Sequence, residues 1–147
     1  MTRSLPPPMP AAVAAAFDAF PAAVRRRLVE VRHLIFETAA RLDGVAPLTE
    51  TLKWGEPAYL TETTGSGSTI RLGHRKSADG ECAVFFNCRT TLVATFRAQF
   101  PEAFAYEGDR AILLSASGRL PKAPLSFCLA TALTYHRRGR RMRGGRA

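Results

Sequence analysis

Six apolar residues, Val24, Leu28, Val31, Ile35, Ala39 and Leu42, recur at steps of four and three along one segment. At ~100° per residue they fall within a stripe about 80° wide, the width of one buried helix face. The spacing predicts a helix over residues 22–42. Pro21 is placed to open it, because its missing N–H costs nothing in a first turn, and Gly44 to stop it. The other faces carry Arg25, Arg26, Glu30, Glu37 and Arg41, with Arg26/Glu30 and Glu37/Arg41 at i,i+4 spacing for ion pairing. A helix with one greasy side must lie on something, and the rest of the chain supplies it.

After Gly44 the pattern turns to strands. Thr49–Trp54 is β-branched and aromatic, Gly55-Glu56-Pro57 reads as a turn, and Ala58–Thr61 as a returning strand. Thr63–Ser68 (T-T-G-S-G-S) reads as a flexible loop. Thr69–Arg75 and Glu81–Asn87 form a hairpin around Lys76-Ser77-Ala78-Asp79-Gly80. Setting Arg75 opposite Glu81 puts His74 by Cys82, Leu72 by Val84 and Ile70 by Phe86, so one face is apolar and a charge pair closes the loop. Ala83 and Phe85 make the second strand apolar on both faces, which implies a central position. A short helix at Thr91–Phe100, a hairpin of Phe104–Glu107 with Ala111–Ser115, and a last helix at Leu125–His136 complete the reading. Helices, then strands, then helices give an α+β fold: an antiparallel sheet of about five or six strands packed against N- and C-terminal helices, mainly on one face. A short helix at Ala11–Phe20 precedes them. The expected organisation is a flexible Pro-rich start at 1–10, one α+β domain at 11–136, and an Arg/Gly-rich basic tail at 137–147.

That tail explains the net charge of +9. Arg137, Arg138, Arg140, Arg141, Arg143 and Arg146 fall there with no acid, and removing those six leaves +3. Arginines among glycines build no core but neutralise phosphates, so nonspecific nucleic-acid association through Arg137, Arg138, Arg140, Arg141 and Arg143 is one possible function. The opposing reading is a solubilising charged tail. No run approaches the ~20 apolar residues of a membrane helix, and the Ala-rich segment near the start carries Asp18 and reads as helix, not signal peptide. A cytoplasmic protein is expected. Three cysteines, Cys82, Cys88 and Cys128, are an odd number without a C-x-x-C pair, which fits three small buried thiols.

The segment Ala46-Pro47-Leu48-Thr49-Glu50-Thr51-Leu52-Lys53-Trp54-Gly55-Glu56-Pro57-Ala58-Tyr59 resembles the signature of the YdhG-like family, a domain of unknown function: A-P, then E, then K-W-G-x-P-x-Y. Gly67-Ser68-Thr69-Ile70-Arg71, Thr90-Thr91-Leu92-Val93, Tyr106-Glu107-Gly108 and Ala132-Leu133-Thr134-Tyr135-His136 are similar to one branch of it. The resemblance covers roughly residues 15–138. It implies a helix running into that hairpin, an antiparallel sheet and a closing helix. It also implies, for a branch of the family, a frataxin-like role in delivering iron. Such iron binding relies on an acidic ridge on the first helix. Here that helix carries Arg25, Arg26, Arg27, Arg32 and Arg41 against Glu30, Glu37 and Asp43, whereas hard cations want clustered carboxylates.

Three places could carry chemistry. Lys53, Trp54, Glu56 and Tyr59 put aromatic faces beside charge and could wall a pocket; the opposing reading packs Trp54 on the helix stripe as core. His74 and Cys82 are cross-strand neighbours, but no orienting carboxylate or oxyanion-hole motif accompanies them, and Cys88 lies roughly 20 Å along the strand, too far to share a metal. Glu30 and His33 form E-x-x-H without the second such helix that a di-iron site needs. The leading expectation is a non-catalytic binding module that holds a small molecule or protein partner at the K-W-G-x-P hairpin. Nucleic-acid association through the tail and iron delivery are the alternatives. No cofactor or metal-ligand set is implied.

Overall fold

The computed structural model describes residues 6–77 and 81–137. Parts of the expected Pro-rich start, the tip of the second hairpin at 78–80, and the tail arginines from Arg138 onward lie outside them.

The principal elements among the described residues follow one another as α1 (Ala11–Asp18), α2 (Ala22–Arg41), β1 (Thr49–Lys53), β2 (Glu56–Leu60), β3 (Ile70–His74), β4 (Cys82–Phe85), α3 (Leu92–Gln99), β5 (Ala105–Glu107), β6 (Ala111–Leu114) and α4 (Lys122–Leu133). The strands form one antiparallel sheet in the order β1-β2-β3-β4-β6-β5. Five of the six stripe residues of α2 are fully buried, from Val24 to Ala39. Pro21 opens that helix from the N-cap, and Leu42 is already extended behind it. The central hairpin has the expected register, His74 against Cys82 and Leu72 against Val84, and Ile70 and Phe86 share the main core. β4 lies between β3 and β6 with every residue buried.

The sheet has two unlike faces. Tyr59, Ile70, Leu72, Cys82, Val84, Ile112 and Leu114 face the helices, and α2 packs on α4 above them. The alternating residues Ala83, Phe85, Ala111 and Leu113 form a second, small apolar cluster on the opposite face. Period-two alternation makes that division unavoidable.

Several local expectations are corrected. The Thr63–Ser68 loop is docked rather than flexible: Ser66 and Ser68 are buried. The Ser66 hydroxyl donates to the Leu133 carbonyl (2.9 Å), and the Ser68 N–H to that of Ala132 (2.9 Å). The last helix begins at Lys122 with Pro124 in its first turn, and His136 stands exposed beyond its end. Glu30 pairs with Arg27 rather than Arg26, because Arg27 is buried and held by the Ser115 and Ser117 carbonyls at 3.0 Å each. Arg75 ion-pairs with Glu107 (3.1 Å), not Glu81, since it folds across the open face of the sheet over Phe85.

Candidate functional site

The turn between β1 and β2 is Trp54-Gly55, one step earlier than the Gly55-Glu56-Pro57 turn expected from sequence. Lys53 pairs with Glu56, so the loop has two residues, and both have positive φ, 56° and 76°. That is the type I′ pattern, whose twist matches the flanking strands and whose usual occupants are Asn-Gly. Glycine meets the requirement freely; tryptophan does not, and a bulky residue in the left-handed region costs about 1–2 kcal/mol. Trp54 is also 89% exposed. The core reading of Trp54 is thereby overturned: among the described residues its ring belongs to no apolar cluster.

Beside Trp54 the open face of the sheet forms a cleft of about 400 Å³, lined by Lys53, Trp54, Thr69, Arg71, Phe85, Phe86, Asn87, Cys88 and Arg110. Phe85 is its apolar floor. The Arg71 guanidinium lies 4.7 Å and that of Arg75 5.2 Å from the Phe85 ring centre, an arrangement the ring quadrupole favours. Glu56 fixes Arg71 by accepting its Nε–H at 2.7 Å. Gly73 makes the cluster possible: a Cβ there would meet the Glu56 carboxylate and stand 2.8 Å from the Phe85 ring. Three cations line the cleft and no carboxylate does. Only Arg71 is compensated, and among the described residues no acid pairs with Lys53 or Arg110.

Of the four residues expected to bind here, Lys53 and Trp54 line the cleft and Glu56 supports it from behind Arg71. Tyr59 is not part of it. Its side chain is fully buried on the helix-covered face, where the hydroxyl donates to Glu50 at 2.8 Å and the ring meets Phe36 edge-on. Strand alternation sends Tyr59 and Glu56 to opposite sides. Sequence reasoning does not place Arg71, Phe85, Asn87 or Arg110 at a site, and it weighs Cys88 only as a thiol and metal ligand, not as part of this cleft. They come from β3, β4 and the segments that follow β4 and precede β6, and only the strand register assembles them.

His74 and Cys82 are cross-strand partners as expected. Cys82 is fully buried, and burial pushes its thiol up to about 11; burial likewise raises Cys128 to about 12. Both stay protonated at neutral pH and are poor nucleophiles. Cys88 corrects the expectation of three buried thiols, for it is exposed at the rim of the cleft. Iodoacetamide at pH 8 should therefore alkylate one cysteine per folded chain and all three in denaturant, with peptide mass mapping placing the first at Cys88. Alkylation of Cys82 in the folded protein at a comparable rate would contradict this burial.

His33 is exposed, and Glu30 is held by Arg27. Glu37 is likewise held by Arg41, so both α2 carboxylates that could begin an acidic ridge are engaged with arginines. Among the described residues no group of three or more His, Cys, Asp or Glu is placed to hold a metal ion. Of the tail arginines only Arg137 is described, and its guanidinium donates to the Asp43 carbonyl at 2.6 Å. Among the described residues no helix is long and apolar enough to cross a membrane.

No family model matches the sequence, and no curated protein matches it. Among solved structures, that of a Bacillus subtilis protein of the DUF1801 family, YdhG, matches 89% of this chain and 91% of its own, with a TM-score of 0.56 and 16% sequence identity. The expected likeness thus holds at the level of architecture: this chain has a YdhG-like fold.

Proposed function

We propose that the protein is a small, non-catalytic binding module that holds a small molecule in the cleft beside Trp54. One observation carries the reading: Trp54 occupies a strained left-handed turn position, is 89% exposed, and stands at the mouth of a cleft with uncompensated positive charge. Strain without a folding reward clusters at ligand sites, because binding is what retains it. The cleft's volume lies within the range of small-ligand pockets. It favours a small molecule over a protein partner, whose interface would need a broad surface.

Trp54→Asn tests this directly, since asparagine suits the left-handed position. The variant should be as stable as the parent or more so, by about 1 kcal/mol. It should also lose ligand-induced thermal stabilisation across a panel of charged and neutral small molecules. A ligand-free variant that melts well below the parent would show that Trp54 serves the fold, and the reading would fail.

A further inference from the structure

We infer that the cleft takes a mononucleotide, with its phosphate on Lys53, Arg71 and Arg110 and its base against the indole of Trp54. This rests on the reading of the cleft as a binding site and names its ligand class.

The charge comes first. Lys53 and Arg110 are exposed and have no carboxylate partner among the described residues. Arg71 gives only its Nε–H to Glu56, which leaves its terminal amino groups for a ligand. Three cations lining one cleft, of which only Arg71 has a counter-charge, suit a dianion better than a single carboxylate, and the planar guanidinium forks match phosphate oxygens. The ring comes second. Trp54 pairs with no other aromatic among the described residues, so its face is available, and every base has a π-face to set against it. Phe85 cannot serve that purpose, because Arg71 and Arg75 already cover it. That Trp54 is the one exposed aromatic among the residues lining this cleft also argues for one nucleotide rather than a strand, since single-strand readers stack successive bases on several rings. Polar side chains complete the site: Thr69 and Asn87 line it, and the Asn87 side chain is engaged through its Oδ1, which accepts the Arg89 N–H, so its amide N–H groups can turn to a base edge.

Trp54 is the chain's one tryptophan, so its fluorescence reports on this site alone. Full-length protein would be titrated with AMP, adenosine, inorganic phosphate and a ten-nucleotide oligothymidylate. Calorimetry would repeat the titrations on Trp54→Asn and on the double variant Lys53→Ala/Arg110→Ala. These exposed positions leave the core untouched, and the double variant keeps the tail arginines. AMP should quench Trp54 and bind at least tenfold tighter than adenosine or phosphate. Each variant should weaken AMP at least tenfold, and only the double variant should erase the preference over adenosine. Adenosine binding as well as AMP, or AMP affinity surviving the double variant, overturns the nucleotide assignment. So does an oligothymidylate that outcompetes AMP, which would indicate a strand-binding surface. If AMP fails while another small molecule binds in a Trp54-dependent way, the ligand class is wrong and the binding module stands. If nothing tested depends on Trp54, both fall.

Discussion

Replacing Glu50 by alanine should cost about 3–5 kcal/mol of stability, roughly 10 °C or more in Tm, and leave the cleft chemistry untouched in whatever remains folded. Glu50 projects from the edge strand β1 toward α2 and is held by two parallel hydrogen bonds from Arg32, Nε to Oε2 at 2.6 Å and Nη2 to Oε1 at 2.8 Å. The Tyr59 hydroxyl donates to the same Oε2, and Arg32 also reaches the Pro7 carbonyl. Both charged side chains are nearly buried, 4% and 5% exposed. The hydrogen bond to Glu50 raises the Arg32 pKa, and burial together with the Glu50 carboxylate pushes the Tyr59 phenol far above its usual value. Removing the carboxylate leaves the buried Arg32 cation without its counter-charge and the buried Tyr59 hydroxyl without its acceptor, which is why breaking such a pair costs more than the pair itself contributes. The contrast that checks this is the double replacement Arg32→Met/Glu50→Leu. It should recover most of the loss in urea or thermal unfolding, because an apolar pair of similar volume removes the desolvation problem. A double variant as unstable as Glu50→Ala alone would mean that the damage comes from packing and not from an orphaned charge.

This network shows what can be read from the residues and what cannot. The 22–42 helix is legible because one apolar face repeats through its length. The β3–β4 register is legible because a slip by one residue would turn Ile70, Leu72 and Val84 to the open face. Arg32 and Glu50 are not legible. They look like solvated charges until the fold brings an edge strand under a helix, and charge identity alone does not say which arginine is buried. Trp54 fails for the opposite reason. A lone tryptophan usually belongs to a core, and a type I′ turn usually holds asparagine at that position, so two sound priors place it in a strand packed on α2. The cleft is illegible for a third reason: Arg71, Phe85 and Arg110 come from three separate segments, and none carries a local pattern. The residues of the K-W-G-x-P hairpin divide accordingly. Glu50 and Tyr59 secure the hairpin to the helix, while Lys53 and Trp54 stand where a ligand could reach them. Segments far apart in sequence, Gly67–Ser68 and Ala132–His136, meet in space as a clasp between the β2–β3 loop and the end of α4.

That clasp gives the second large effect. Gly67→Ala should lower stability by about 3–5 kcal/mol, although it adds one methyl group. A Cβ at Gly67 would collide with the Leu133 carbonyl and lie 2.5 Å from its Cα. All of those atoms are backbone at the C-terminal end of α4, so no side chain can rotate away. Either α4 shifts from its seat against α2 or the loop lifts off. In the second case the Ser66 Oγ to Leu133, Ser68 N–H to Ala132 and His136 N–H to Ser66 hydrogen bonds go together. Gly65→Ala is the matched control. Gly65 has left-handed φ, 64°, with nothing within 4 Å of a Cβ, so its cost is conformational only, about 1–2 kcal/mol. Thermal unfolding should therefore rank the parent above Gly65→Ala and Gly65→Ala well above Gly67→Ala. Limited proteolysis should open the 61–69 loop in the Gly67 variant before the rest of the chain is cut. Equal melting of the two variants would mean that the loop does not press against α4 as described, and the clasp would have to be abandoned.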